Sequence, residues 1–380
     1  MRFSDIIGQD ETKARLCQYI NEQRISHALL FLGPEGNGSL ALALAYAQLI
    51  NCTQRQYGAS EACGSCHSCT KYEQLAHPDL HFVYPVASTR EVKGKVKSVD
   101  FVAQWRNVVR ENRGYVSLSQ WYDTIGIENK QGIINADDCN EIIKILNFKA
   151  YEAEYKVMVI WMAEKLFHSA APKILKILEE PPEKTLFLLI AEQSDKILPT
   201  ILSRTQILRV PPVETGALKN YLVKNRGYEL IAAHRATVLA EGNVNLAFHL
   251  LQNPEKDENP ELFIKWMRLC WSGKIADLQQ WIPQLVQLGR EKQKLFFLVG
   301  LQILRQAFIS SYLSHIAEQL DENEQDFIKK FGKFINLHNI SVFQQMFDDA
   351  VMSIERNANP SILLMDMSLK IHRLLAKRGQ

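Results

Sequence analysis

Gly33-Pro-Glu-Gly-Asn-Gly38-Ser39-Leu40 follows a short apolar run, His27 to Leu32, and leads into the Ala/Leu-rich stretch Leu40 to Ile50. A glycine-rich turn between a buried strand and a buried helix is the setting of a phosphate-binding loop. A working loop reads G-x-x-x-x-G-K-[ST]. Its lysine reaches the β- and γ-phosphates and its hydroxyl ligates magnesium. Here Gly33 and Gly38 keep the spacing, but Ser39 stands at the lysine and Leu40 at the hydroxyl residue. The backbone turn survives this exchange; the charge and the metal ligand do not. The sequence therefore predicts a degenerate loop, with no ATP expected.

Outward from the loop, apolar strand patterns alternate with helical ones. This is the signature of an α/β domain with a mostly parallel sheet. Leu80 to Val86, Lys156 to Met162 and Thr185 to Ala191 read as further strands. Asn135 is placed to cap a helix carrying Ile142, Ile145 and Leu146 on one face. Another helix ends at Glu179-Glu180-Pro181-Pro182, because a proline disfavours helix at the residue before it. Residues 90–132 read as a polar, irregular insertion. Its Lys93, Lys95, Lys97, Arg106 and Arg110 suit a solvated face better than a nucleic-acid site. Beyond Pro211-Pro212 the strands stop. Residues 213–255 read as a small helical domain and 256–380 as a larger all-helical one. The latter includes a helix from about Glu291 to Leu313 and a last one with Ile362, Met365 and Leu369 at helical spacing.

Four of the seven cysteines, Cys52, Cys63, Cys66 and Cys69, form C-x10-C-x2-C-x2-C. Four thiolates close a tetrahedral structural zinc site and leave no open coordination position. An iron–sulfur cluster is the rival reading. The bacterial ferredoxin run continues with x3-C-P, and Glu73 stands at that cysteine's place. His67 lies inside the module but is not needed as a ligand. Cys17, Cys139 and Cys270 fall in helical patterns and read as buried, inert residues.

Hydrophobic residues make up 47% of the 380-residue chain and charged residues 23%, as in a soluble globular protein. A net charge of +2 gives no overall field toward nucleic acid. No apolar run reaches the length of a membrane span, and the first residues lack a signal-peptide core. A cytoplasmic location, with no membrane partner, is the expectation.

Phe3-Ser-Asp-Ile-Ile-Gly-Gln9, Arg24-Ile-Ser-His-Ala28, Leu175-Lys-Ile-Leu-Glu-Glu-Pro-Pro182 and Leu198-Pro-Thr-Ile-Leu-Ser-Arg-Thr205 resemble bacterial clamp-loader subunits of the AAA+ class. In order and spacing they cover residues 1–212. Asn357-Ala-Asn-Pro-Ser361 resembles the lead-in to the last helix of the family's collar. The resemblance implies an AAA+ domain at 1–212, a helical lid at 213–255 and a collar for oligomerisation at 256–380. It also implies zinc in the cysteine module of residues 52–69. The family's ATPases carry an Asp-Glu pair where Trp161 and Met162 stand here, with Glu164 two residues on. Their first sensor falls near Ala191 and Glu192. Their second sensor arginine falls at Asn245 of Gly242-Asn-Val-Asn245-Leu-Ala247. Loss of all four elements is the mark of the delta-prime type. Arg204 is retained, although Thr205 departs from the family's Ser-Arg-Cys. In the family this arginine reaches the ATP of a neighbouring subunit.

The implied function is a non-hydrolysing stator subunit of the DNA polymerase III clamp loader. Its implied partners are gamma/tau-type and delta subunits in a hetero-pentameric ring and, through the complex, the sliding clamp and primer-template DNA. Two alternatives remain at this stage: an active gamma-type ATPase, and a zinc-dependent nucleic-acid-binding module.

Overall fold

The computed structural model describes residues 1–127, 130–167, 171–252, 259–310, 322–355 and 358–376. It separates into two compact units, Met1–His249 and Leu250–Gln380.

The first unit is built on five parallel strands: β1 (Ala28–Leu32), β2 (Leu80–Val83), β3 (Lys156–Trp161), β4 (Thr185–Ala191) and β5 (Gln206–Arg209). Their order is β2-β3-β4-β1-β5. In register, Leu30 lies beside Leu189 of β4 and Ile207 of β5. The three central strands are buried along their whole length, as expected for parallel strands covered on both faces. The sequence reading found β1 to β4. It missed β5, whose Gln206, Ile207 and Arg209 are exposed and only Leu208 is buried.

Helix α1 (Asp10–Asn21) precedes β1, and α2 (Ser39–Ile50) follows the loop. All twelve residues of α2 are buried, which is why its apolar residues show no single stripe. The opposite face of the sheet carries Leu30, Met158, Ile160, Phe187 and Leu189 into a core with Ile142, Leu146, Ile174 and Leu178. These come from the helices at Ala136–Asn147 and Ala171–Glu179.

Helix α3 (His67–Glu73) lies in the cysteine module. After it, buried Asp79 accepts the backbone N–H groups of Tyr151, Glu152 and Ala153 at 2.6, 2.9 and 2.8 Å. The segment leading into β3 is thereby pinned to the start of β2. Asn51 adds a second pin: its amide pairs with both the N–H and the C=O of Tyr155 and also donates to Tyr72 Oη at 2.6 Å.

Residues 90–132 correct the expectation of an irregular insertion. They fold into α4 (Val102–Glu111) and α5 (Leu118–Ile125), with residues 128–129 outside the described part. Trp105 and Trp121 are fully buried. Trp105 stacks on Tyr84 with ring centroids 4.3 Å apart, and Trp121 meets Trp105 edge-on at 5.2 Å. The charged residues between these apolar positions occupy the outer helix faces and hid the spacing of Phe101, Trp105, Val108 and Val109.

Asn135 caps α6 (Ala136–Asn147), accepting from the N–H groups of Asp137 and Asp138 at 2.8 and 3.0 Å. At its other end, the buried Lys156 ammonium donates to the carbonyls of Ile145 and Phe148, a cation at the negative helix end. Helix α7 (Ala171–Glu179) stops before Pro181, and the one-turn α8 (Pro199–Leu202) precedes β5. Three helices complete this part of the chain: α9 (Thr215–Arg226), α10 (Leu230–Ala240) and α11 (Val244–Gln252).

The second unit is helical throughout its described residues: α12 (Asn259–Ser272), α13 (Ile275–Val286), α14 (Arg290–Ser310), α15 (Glu322–Phe331), α16 (Leu337–Glu355) and α17 (Pro360–Ala376). Phe263, Trp266, Phe296, Phe297 and Phe347 meet in its core. Trp266 Nε1 donates to Ser368 Oγ at 2.8 Å. The predicted long helix at 291–313 corresponds to α14, and residues 311–313 lie outside the described part, as does Asn357. The last helix forms where expected but on a different face. Leu364, Met367, Ile371 and Leu375 are buried, while Ile362 is 69% exposed. No helix among the described residues is long and apolar enough to cross a membrane.

Candidate functional site

Because all five strands are parallel, the loops after β1, β3 and β4 open at one edge of the sheet, where α/β folds bind ligands. The loop at residues 33–38 lies there. Two of its glycines are required by contact. A Cβ on Gly33 would sit 2.0 Å from the carbonyl oxygen of Val210. One on Gly36, where φ is +73°, would sit 2.0 Å from Asn243 Oδ1.

The loop spends its polar groups on the protein itself. Asn37 Oδ1 accepts the N–H of Ser39 at 2.9 Å, and Asn37 Nδ2 donates to Val210 O at 3.0 Å. Gln9 Nε2 donates to Asn37 O at 3.0 Å and to Pro211 O at 2.7 Å. The N–H of Val244, at the start of α11, donates to Gly36 O at 3.1 Å. The Ser39 N–H at the start of α2 is what a phosphate would take; here the side-chain oxygen of Asn37 takes it.

Ser39 and Leu40 are both buried. They line a crevice with Gly33–Gly38, Gly114, Tyr115, Trp161, Met162, Glu192 and Asn245 that holds only about 30 Å³ of free space. Small-molecule sites run to roughly 300–1,000 Å³. Trp161 is 3% exposed and packs on Trp105 with centroids 5.0 Å apart. Met162 is buried beside it. Glu164 turns inward, but its carboxylate accepts the Glu192 N–H at 2.9 Å, and it does not line the crevice. Burial raises its pKa above the ordinary carboxylate value. Ala191 is buried at the end of β4. Asn245 Nδ2 and Ser39 Oγ are buried without hydrogen-bond partners.

The structure thus gathers the loop, Trp161, Met162, Glu192 and Asn245 into one crevice. Sequence reasoning missed Asn37, Tyr115 and Gln9. Tyr115 packs its ring against Gly38 and accepts the Ile7 N–H at 3.0 Å. A glycine directly before Tyr115 was the available sequence signal; at Gly114 φ is +76° and a Cβ would sit 2.9 Å from Ala41 Cα.

The sulfurs of Cys52, Cys63, Cys66 and Cys69 all lie within 4.8 Å of one another, and none is in a disulfide. Cys63 and Cys69 sulfurs are 3.9 Å apart. Zinc–sulfur bonds of about 2.3 Å in a tetrahedron require an edge of about 3.8 Å. Backbone N–H groups point at the sulfurs: Cys63 to Cys52 at 3.4 Å, Cys66 to Cys63 at 3.3 Å, and Cys69 to Cys66 at 3.4 Å. Such donors favour thiolates. Those of Cys66 and Ser65 draw the Cys63 thiol below its ordinary value. Burial opposes ionisation of Cys66, but donors from Thr53 and Cys69 bring it down to about 6. Burial pushes Cys52 and Cys69 up. A divalent cation would discharge the whole set, and the four residues fit one. His67 is not among the group. Cys17, Cys139 and Cys270 are buried singly elsewhere.

Arg204 lies at the surface, just after α8. Its guanidinium pairs with Glu179 Oε1, through Nε at 2.7 Å and Nη2 at 2.5 Å, and Nη1 donates to Thr200 O at 2.9 Å. The Leu175–Pro182 and Leu198–Thr205 stretches therefore meet at this ion pair.

A family model described as DNA polymerase III, delta subunit, matches residues 8–214. The delta' subunit of Bacillus subtilis DNA polymerase III is 26% identical over 343 residues, covering 88% of this chain and 85% of that protein. The Yersinia pestis delta' subunit is 31% identical over 264 residues, covering 68% of this chain and 64% of its own. The gamma/tau subunit of Mycobacterium tuberculosis strain H37Rv is 26% identical over 228 residues, 59% of this chain but only 32% of that longer protein. Among solved structures, a gamma-subunit-related protein of Thermotoga maritima aligns over 95% of this chain and 98% of its own, at 15% identity and a TM-score of 0.38. With the family model matching more than half of the residues and delta' relatives matching most of them, the chain belongs to the delta-prime family of DNA polymerase III clamp-loader subunits.

Proposed function

We propose that the chain is the non-hydrolysing stator of a clamp loader. In this reading residues 1–212 form an AAA+ domain, 213–255 its lid and 256–380 a collar. The collar joins gamma/tau-type and delta subunits in a hetero-pentameric ring that loads the sliding clamp onto primed DNA. Arg204 leaves Glu179 to complete the ATP site of the neighbouring gamma-type subunit, stabilising charge on the transferring phosphoryl group. Cys52, Cys63, Cys66 and Cys69 hold structural zinc, which would fix the chain between α2 and α3.

The observation that carries this reading is the self-satisfied loop. Asn37 takes the Ser39 N–H, and the crevice beyond holds about 30 Å³. The same observation speaks against the gamma-type ATPase. Titration with a fluorescent ATP analogue and magnesium should give no saturable binding in the micromolar range. Micromolar affinity with measurable hydrolysis would overturn the stator reading. Elemental analysis of fresh protein should give one zinc per chain; iron, or no metal, would overturn the zinc assignment.

A further inference from the structure

The turn between α4 and α5 reaches the phosphate-type loop from outside the sheet. Most walls of the crevice belong to the sheet and its loops: residues 33–38 follow β1, Trp161 and Met162 end β3, and Glu192 follows β4. Gly114, Tyr115 and Val116 belong to none of these, yet they line the same crevice and all three are buried. Gly38 is the N-cap of α2, with φ at +87°. The Tyr115 ring lies 3.1–3.4 Å from where a Cβ on Gly38 would stand. It thus covers the positive end of α2, the place at which helices bind anions. Its hydroxyl oxygen accepts the Ile7 N–H at 3.0 Å and ties this cover to the segment before α1.

The turn is built to hold the ring there. Asn112 Nδ2 donates to Val108 O at 2.8 Å, the Gly114 N–H to Val109 O at 2.8 Å and the Tyr115 N–H to Asn112 O at 2.9 Å. Ser117 caps α5, accepting the Gln120 N–H at 3.1 Å. Behind the turn, the buried Trp105–Trp121 contact fixes α4 against α5, and Trp121 Nε1 donates to Pro85 O at 2.9 Å. Ser39 Oγ and Asn245 Nδ2 line the crevice, buried and without hydrogen-bond partners. Polar groups that could serve a ligand are therefore still present. Room for one is not, and Tyr115 is the large side chain that enters from outside the sheet.

We propose that Tyr115 is a built-in plug, which keeps nucleotide out of the loop independently of the exchanges at Ser39 and Leu40. The inference rests on the reading that the loop takes no ATP, and it adds a second, separable cause. Restoring the lysine and the hydroxyl would not restore binding while the ring stays seated. A site that is open in only a fraction of molecules has its apparent affinity lowered by that fraction, so a plug open in about a tenth of them or fewer weakens binding about tenfold or more.

The test uses the full chain and a fluorescent ATP analogue with magnesium. Wild type is titrated first; saturable micromolar binding there overturns the stator reading and this inference together. Ser39→Lys with Leu40→Thr is then compared with the same pair carrying Tyr115→Ala, each checked for a wild-type fold by near-UV circular dichroism. The triple variant should bind about tenfold more tightly than the pair, or better. Equal binding by the two, or none by either, overturns the plug and leaves the stator reading standing. Should the loop variants not fold, amide hydrogen exchange in Tyr115→Leu decides. Leucine keeps an apolar side chain but not the ring or its hydroxyl. The amides of Ile7 and of residues 36–41 should then exchange faster, while those of β3 and β4 keep their rates. Unchanged exchange at Ile7 and residues 36–41 refutes the plug.

Discussion

At the scale of single residues, the crevice is filled by buried apolar side chains where the proposed reading puts the lost charged groups. Leu40 and Trp161 do not merely lack a hydroxyl and a carboxylate; they are buried, and Trp161 extends the aromatic stack of Trp105. Ser39 and Leu40 could be singled out in the sequence because glycine spacing fixes where a working loop carries its lysine and hydroxyl. The group that closes the loop, Asn37, was not legible, since nothing in the spacing tells which way its amide faces. Arg204 keeps its charge, held in this structure by Glu179. Its pair with Glu179 is at the surface, where such pairs contribute about 0–1 kcal/mol. Arg204→Ala should therefore leave the isolated chain folded and able to assemble. In the reconstituted complex it should lower clamp- and DNA-stimulated ATP hydrolysis. The loss should be well below the ~10³–10⁵-fold of a sole arginine finger, because in the proposed ring only one of several ATP sites would be disabled. Arg204→Lys should restore little, lacking the planar fork. Normal assembly with unchanged hydrolysis would return Arg204 to a local ion pair.

At the scale of elements, sequence periodicity located what is uniformly apolar and lost what is not. Strand β4 forms at Thr185–Ala191 as read, whereas β5 escaped because one buried residue in four carries no pattern. Helix α4 was hidden by its charged and polar outer face, and α5 by its brevity and its mainly uncharged polar residues. The pinning of β3 was equally invisible, since a lone Asp79 in sequence says nothing of three N–H groups over seventy residues away. Burial alone would raise the Asp79 pKa, but these donors hold it below the ordinary value of 3.8. Charged hydrogen bonds contribute about 1.5–3 kcal/mol each when lost singly, and a rearranged asparagine would keep part of that. Asp79→Asn should thus cost about 2–4 kcal/mol by urea unfolding at pH 7. A carboxylate with a depressed folded pKa stabilises fully above its unfolded value and loses that contribution as pH falls through the folded one. The gap between wild type and variant should be flat from pH 6 to 8 and narrow below about pH 4. Equal stabilities at pH 7 would refute the anchoring role.

At the scale of the whole molecule, the fold class and the change from α/β to helical were legible because strand and helix periods differ. The core of the second unit was not. Its aromatic residues, Phe263, Trp266, Phe296, Phe297 and Phe347, are scattered over three helices and come together only in space. In the first unit, the sheet order places β1 between β4 and β5, and this has a consequence for synthesis on the ribosome. The most apolar strand is made first and pairs last. Ala28–Leu32 finds no strand partner until Thr185–Ala191 and Gln206–Arg209 exist, roughly 150 and 170 residues later. At about 5–20 residues per second that is a wait of roughly 10–35 s. Strands β2 and β3 pair sooner but cannot enclose it. Nascent chains arrested with residues 1–180 outside the ribosome should be cut by protease near Ala28–Leu32, and chains with residues 1–249 outside should resist. Protection already complete in the shorter chains would mean that β1 is sheltered by something other than its sheet neighbours. Otherwise, a holding chaperone has its longest opportunity at a strand that ends inside the sheet, between β4 and β5.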